Sequence, residues 1–219
     1  METVEADRSG SRVRRSAARP VHIPLAAILA GPLPLADARA ELGQEQEDFL
    51  TLIGRMVDQG RLTLDELGDA IVAAGGLSLV PSRHRLLLNG RQLYTWCALD
   101  AVGFAAGLRA DARVESRCAG CGAPIWLEFE AGEVCRASHP DLRLSLVAPD
   151  LTRSLRDGIC AEIGCSCCSA GSEGIAAPGS ISLADAVRLG GELCRYGPPI
   201  RAVFTSGERL GPDHRTDRR

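Results

Sequence analysis

Residues 93–108 read LYTWCALDAVGFAAGL, and Asp100 is their one charged side chain among neighbours that are almost entirely apolar or aromatic. A helix that is apolar nearly all round is buried. Burial without a cation raises the pKa of a carboxyl group, so we expect Asp100 to hold a proton near neutral pH. Cys97 lies three residues earlier, which on a helix places its thiol on the same face as this carboxyl. The segment therefore predicts a buried helix with a thiol beside a proton donor.

The chain on the N-terminal side of this segment predicts a helical domain. Apolar residues recur at helical spacing over 45–59, and a second helix is predicted from Thr63, which can cap it, to Val72. A strand over 83–88 and the turn Asn89-Gly90 then predict a β-hairpin. Helices followed by a hairpin indicate a winged-helix-like domain, which we place at 41–90, after a flexible leader over residues 1–40.

The charge pattern argues against nucleic acid and membrane partners. Asp65, Glu66 and Asp69 on the predicted second helix would repel DNA phosphates, and the net charge is −3. All 25 basic residues are Arg, so lysine chemistry such as Schiff-base formation is excluded. No apolar run reaches the roughly 18 residues of a membrane span.

The C-terminal side predicts a small antiparallel sheet with flanking helices, over residues 91–199. The predicted elements are strands at 113–117, 125–130 and 142–147 and a last helix opened by Ser182 with Asp185 and ended by Gly197-Pro198-Pro199. The fold class is therefore α+β, with a flexible tail over 200–219.

The chain contains nine cysteines, an odd number that cannot pair completely. Their clustered spacing suits metal or thiolate chemistry in a reduced compartment, so we expect the cytoplasm. Arg14-Arg15 ahead of an apolar stretch loosely matches a twin-arginine export signal, but three prolines interrupt that stretch. The leader is therefore interpreted as a flexible arm.

Three segments follow one another along the chain: LYTWCALDAVGFAAGLRADARVESRCAGCGAPI at 93–125, LSLVAPD at 144–150 and LRDGIC at 155–160. In the order and spacing of these segments the chain resembles the alkylmercury (organomercurial) lyase family. The resemblance covers approximately Arg83 to Cys160. It implies that Cys97, Asp100 and Cys160 are the catalytic residues, with both thiols as mercury ligands. The segment after Cys160, AEIGCSCCSAGSEG, departs from the family pattern.

The implied reaction is protonolysis of a carbon–mercury bond, which gives a hydrocarbon and thiolate-bound Hg(II). Thiolates suit it because they are the softest protein ligands for a soft cation. Mercury would be substrate and product, and no organic cofactor is required. The implied partners are organomercurial small molecules, small thiols and a mercuric reductase. A non-catalytic zinc- or mercury-binding protein on the same scaffold is the alternative; a mercury-responsive DNA-binding regulator is a third hypothesis.

Four further cysteines predict a structural zinc site. Cys118 and Cys121 have the shape of a zinc knuckle, and Cys165 with Cys168 offers a second Cys-x-x-Cys pair, although the spacing between the pairs exceeds that of a usual zinc ribbon. Two other interpretations stay open: Cys165, Cys167 and Cys168 can form a relay that hands on Hg²⁺, or simply a cysteine-rich loop.

Overall fold

The computed structural model describes residues 25–43, 45–147, 153–168 and 179–196. The α-helices of these residues are α1 (Leu25–Ala30), α2 (Leu35–Leu42), α3 (Gln46–Asp58), α4 (Ala98–Gly107) and α5 (Leu183–Tyr196). The strands are β1 (Leu33–Pro34), β2 (Leu62–Leu64), β3 (Ala70–Ala74), β4 (Leu77–Ser78), β5 (His84–Leu88), β6 (Arg91–Thr95), β7 (Ala112–Arg117), β8 (Pro124–Glu130), β9 (Glu133–Ala137), β10 (Arg143–Leu144), β11 (Cys165–Ser166) and β12 (Ile181–Ser182). No helix in these ranges combines the length and apolar character needed to cross a membrane.

The strands form two antiparallel sheets, which confirms the mixed α+β class. The larger sheet has the order β1-β3-β4-β6-β5-β7-β8-β9, with β2 also paired to β3. The smaller sheet has the order β11-β10-β12. Along β8 the buried residues Ile125, Leu127 and Phe129 alternate with more exposed ones, as expected for a strand with one face on the core.

Helix α4 is the central element of the core. All of its residues except Asp100 are buried, as the apolar sequence predicted. It packs closely against α5, because a Cβ atom on Gly103 would lie 2.9 Å from the carbonyl oxygen of Gly190. This close contact sets the position of α4 relative to α5, and therefore the position of Asp100 in the first turn of α4.

The predicted second helix is wrong, because residues 62–64 and 70–74 form strands β2 and β3 and residues 65–69 form the turn between them. The turn between these strands is closed by Asp65, whose Oδ1 accepts hydrogen bonds from the backbone N–H groups of Asp69 at 3.0 Å and Ala70 at 3.2 Å. An aspartate that bonds nearby backbone offers the chain an alternative to a helix. Gly68, with φ +76°, interrupts any helix at this point. The winged-helix-like arrangement that depended on this helix is not confirmed.

The predicted limits of the leader and of the first domain differ from the observed elements. Residues 25–42 contain α1, β1 and α2, with Ile28 and Ala38 fully buried, so the leader prediction fails for residues 25–40. The β5–β6 hairpin is confirmed, and Asn89 and Gly90 have the positive φ angles that its turn requires. Because β5 and β6 pair within the larger sheet, this sheet contains residues on both sides of the predicted domain boundary between residues 90 and 91. Residues 1–24 and 200–219 lie outside the described residues.

The last helix is confirmed over 183–196, and Ser182 Oγ accepts a hydrogen bond from the Asp185 backbone N–H at 3.1 Å. Its predicted stop at 197–199 lies outside the described residues. Of the strand predicted at 142–147, residues 143–144 alone pair as a strand.

Candidate functional site

Cys97 lies where strand β6 passes into helix α4. It is the N-cap residue of α4 with extended backbone, and its Sγ accepts a hydrogen bond from the backbone N–H of Asp100 at 3.3 Å. The buried Thr95 hydroxyl donates to the Cys97 carbonyl oxygen at 2.9 Å. The thiol is therefore fixed by the helix start and not by a flexible loop.

Asp100 lies in the first turn of α4, and its carboxyl group faces back to this thiol. The Cys97 thiol donates to Asp100 Oδ2 at 3.0 Å. Burial raises the pKa of Asp100 to about 6, although the hydrogen bonds from Cys97 act to lower it. Near neutral pH this carboxyl can therefore accept a proton and release it, as expected from its isolation in the sequence.

The backbone of Gly76 packs against the Asp100 carboxyl group. A Cβ atom at this position would lie 2.6 Å from the carboxyl group, and the backbone has φ +97°. The Gly76 carbonyl oxygen also accepts a hydrogen bond from the Trp96 N–H at 3.0 Å. No pattern in the sequence linked Gly76 to Cys97 or Asp100, so this contact with the site was missed.

Cys160 reaches the site from a distant part of the chain. It follows a π-helical turn at Leu155–Ile159 and starts a 3₁₀ turn, Cys160–Glu162. The buried Cys160 Sγ lies 4.0 Å from Asp100 Oδ2. The Ile163 carbonyl oxygen accepts a hydrogen bond from the Ala98 N–H at 3.2 Å, which joins the Cys160 segment to the start of α4.

The candidate ligand atoms of Cys97, Asp100 and Cys160 all lie within 4.8 Å of one another; we call these three residues the buried triad. The pKa of the Cys97 thiol is raised well above its usual value, first by its hydrogen bond with Cys160 and then by burial. Cys97 therefore carries its proton at neutral pH, and binding of a soft metal ion must displace that proton beside a carboxyl group.

A second group of sulfur atoms lies between the β7–β8 turn and the segment after Cys160. Cys118, Cys121 and Cys167 have sulfurs within 4.8 Å of one another, and Cys168 Sγ lies 3.7 Å from Cys118 Sγ. These four residues are the thiol cluster. Of the four residues predicted for zinc, the structure thus brings together Cys118, Cys121 and Cys168.

Cys165 does not fill the place that the sequence pattern gave it. It is buried in β11, where it pairs with Leu144, and burial raises the pKa of its thiol to about 12. Its backbone carbonyl oxygen accepts a hydrogen bond from the Ala119 N–H at 2.8 Å. Cys167, which no spacing rule selected for zinc, takes its place in the cluster.

The Cys118 sulfur is surrounded by backbone donors. The N–H groups of Cys121 and Cys167 point to it at 3.5 Å and 3.4 Å. Burial acts to raise the pKa of Cys118, but these backbone donors outweigh it and lower the pKa to about 5. Cys118 therefore favours the thiolate, whereas burial and the neighbouring thiols of Cys118 and Cys121 raise the pKa of Cys167 to about 12.

Two buried thiols beside one carboxyl group, on an α+β scaffold, form a group of side chains whose donor atoms suit a soft metal ion. A family model described as alkylmercury lyase matches residues 77–194, which is more than half of the chain. The chain belongs to the alkylmercury lyase family, which confirms the resemblance carried by its sequence.

Individual relatives agree with this assignment. An alkylmercury lyase of Staphylococcus epidermidis is 34% identical over 132 residues, covering 60% of this chain and 59% of the relative. One of Bacillus cereus is 32% identical over 123 residues, covering 53% and 56%. The chain thus spans less than two thirds of these relatives. The solved mercury-bound structure of MerB2 is similar to this chain with a TM-score of 0.70 and 24% sequence identity. The similarity covers 78% of this chain and 85% of that one and supports the fold.

Proposed function

We propose that the protein is an alkylmercury lyase that breaks carbon–mercury bonds by protonolysis, with Cys97, Asp100 and Cys160 as its catalytic residues. The observation that carries this proposal is the convergence of two thiols and one carboxyl group within 4.8 Å. Family membership supports it, as does the curated name of the relatives.

The first step is capture of the organomercurial by Cys97. The sulfur displaces the outgoing ligand of R–Hg–X, and the thiol proton leaves with X. Thiolate is the protein ligand that a soft cation such as carbon-bound mercury prefers. Because the pKa of Cys97 is raised, the Asp100 carboxylate, 3.0 Å from its sulfur, accepts this proton and passes it to X, so that HX leaves and the carboxylate is ionised again for the next step.

The second step adds the other thiol. Cys160 binds the same mercury, and its proton passes to Asp100 Oδ2, which lies 4.0 Å from the Cys160 sulfur. Two sulfur ligands raise the electron density on mercury, so the bond to carbon gains carbanion character. A carboxyl group with a pKa of about 6 is suited to hold this proton for the next step.

The last step delivers the proton to carbon. The electron pair of the Hg–C bond goes to carbon, which takes the proton of Asp100 and leaves as the hydrocarbon R–H. Mercury keeps its oxidation state and remains as Hg(II) between Cys97 and Cys160. Mercury is substrate and product here, so the chemistry uses no resident cofactor. Small thiols or a mercuric reductase in the cytoplasm would then accept the ion.

The non-catalytic alternative is less favoured, because a pair of thiols that merely stores metal does not need a carboxyl group with a pKa near neutrality between them. Zinc at the thiol cluster would take no part in the steps above.

The test is an anaerobic assay with phenylmercury and excess free thiol, in which the wild type should release benzene. Cys97→Ser should lower the rate by at least about a thousandfold, because a hydroxyl is too hard a ligand for mercury. Cys135→Ser is the matched control, since Cys135 is exposed on β9 and its thiol donates to the Glu128 carbonyl oxygen. No benzene from a folded wild type would refute the activity, and equal loss in both variants would refute the role of Cys97.

A further inference from the structure

Two sulfur pairs of the thiol cluster have the spacing expected between two ligands of a tetrahedral zinc ion. Cys118 Sγ lies 3.7 Å from Cys168 Sγ, and Cys121 Sγ lies 3.8 Å from Cys167 Sγ. Four sulfurs at about 2.3 Å from one zinc ion, at the corners of a tetrahedron, are about 3.8 Å apart. A disulfide needs about 2.05 Å between its two sulfurs, so neither of these pairs is joined by one. The spacing therefore fits shared binding of an ion and not oxidation.

The backbone around Cys118 is arranged as in a metal-binding knuckle. Cys118 and Cys121 flank a tight turn, in which the Gly122 N–H donates to the Cys118 carbonyl oxygen at 3.0 Å and Gly122 has φ +73°. The N–H groups of Cys121 and Cys167 donate to Cys118 Sγ from opposite arms of the cluster. Backbone N–H groups that donate to a ligand sulfur orient the thiolate and offset its charge.

A cation lies next to this knuckle. Four thiolates around one Zn²⁺ carry a net charge of −2, which needs compensation at a partly buried site. The Arg117 guanidinium donates to the Gly122 carbonyl oxygen at 3.3 Å, which places a positive charge beside the turn. The ligands also differ in exposure: Cys118 is buried, Cys121 is exposed, and Cys167 and Cys168 are half-buried. An ion can therefore reach the cluster from solvent.

We propose that Cys118, Cys121, Cys167 and Cys168 bind one structural Zn²⁺, the four thiols releasing their protons to solvent. The ion joins the β7–β8 turn to the chain that follows Cys160. The same two segments already meet through the hydrogen bond from the Ala119 N–H to the Cys165 carbonyl oxygen. Metal-ligand bonds across such a contact supply folding free energy directly. The site thus anchors the segment that brings Cys160 to the buried triad.

Metal content is the first test. Protein purified without chelators from zinc-supplied cells should contain about one zinc ion per chain by elemental analysis. Cys121→Ser and Cys167→Ser should each lower the zinc content at least about fivefold after dialysis. Cys135→Ser, outside the cluster, and Cys165→Ala, in the neighbouring strand, should keep the ion. Loss of zinc from Cys165→Ala with retention in Cys167→Ser would overturn the assignment.

A second test uses the wild type alone, so that no variant needs to fold. Reduced apo-protein titrated with Co²⁺ should develop thiolate-to-metal charge-transfer absorption and the strong visible bands of tetrahedral cobalt, which Zn²⁺ then removes. Removal of zinc should lower Tm by about 5–10 °C. A reduced wild type that takes up neither ion overturns the proposal, and uptake of Hg²⁺ alone would favour the relay interpretation. These readouts do not depend on lyase turnover.

Discussion

The buried triad and the thiol cluster both draw cysteines from residues 97–121 and from residues 160–168, yet Cys97 of the triad and Cys118 of the cluster hold their protons in opposite ways. In the triad, the hydrogen bond between the thiols of Cys97 and Cys160, together with burial, raises the pKa of Cys97. In the cluster, backbone N–H groups converge on Cys118 and lower the pKa of that thiol to about 5. The surroundings of a sulfur atom therefore decide whether it keeps a proton for chemistry or gives it up for a metal ion.

The carboxyl group is the other difference between the two sites. Asp100 lies against both thiols of the triad, whereas the Cys118 sulfur of the cluster contacts backbone N–H groups, another thiol and the Ser166 hydroxyl. A site that must move protons needs such a group, and a site that only holds an ion does not.

The largest effect is expected from removing that carboxyl group. Asp100→Asn keeps the size of the side chain but cannot carry a proton, so the rate of benzene release should fall by about 10²–10⁴-fold. Mercury binding by Cys97 and Cys160 should persist, as measured by the mercury retained per chain after gel filtration. Cys121→Ser, in the cluster, is the contrasting variant and should keep more activity than Asp100→Asn. Full activity in Asp100→Asn would show that the triad needs no acid.

An intermediate effect is expected from moving the carboxyl group without removing it. In Gly76→Ala the new Cβ would lie 2.6 Å from Asp100, so the carboxyl must shift and the rate should fall by about 10–100-fold. Gly75→Ala is the matched control, because Gly75 also has a positive φ but meets nothing within 4 Å. Kinetics of both variants would separate backbone strain from displacement of Asp100, and equal rates would exclude the displacement.

The smallest effect concerns stability and pH. Asp100 loses its proton near pH 3.8 when unfolded and at about 6 when folded, so the folded state binds more protons between these values. The contribution of this group to the free energy of unfolding therefore falls as pH rises through that window. Asp100→Asn removes this dependence, so its stability relative to wild type should rise by about 1–3 kcal/mol from about pH 4 to about pH 7. Urea unfolding at both pH values measures the change. A constant difference would place the Asp100 pKa near its ordinary value.

Local patterns predicted those parts of the fold that depend on near neighbours in the chain. The isolation of Asp100 in an apolar segment, the Asn89-Gly90 turn and the Ser182 cap all act within a few residues, and all three appear in the structure as expected. Residues 62–74 were predicted wrongly, because helical spacing of leucines there competes with a turn that Asp65 closes and with pairing to strands distant in sequence.

The sequence by itself determined that a thiol and an acid share one buried helix start, because Cys97 and Asp100 are three residues apart and the segment around them is apolar. The resemblance to the alkylmercury lyase family also predicted Cys160 as the third catalytic residue. Only the tertiary structure decided that Gly76 packs against the Asp100 carboxyl group and that Cys167, not Cys165, lies next to Cys121. Those contacts depend on how strands far apart in the chain pack together, and no spacing along a single element encodes them.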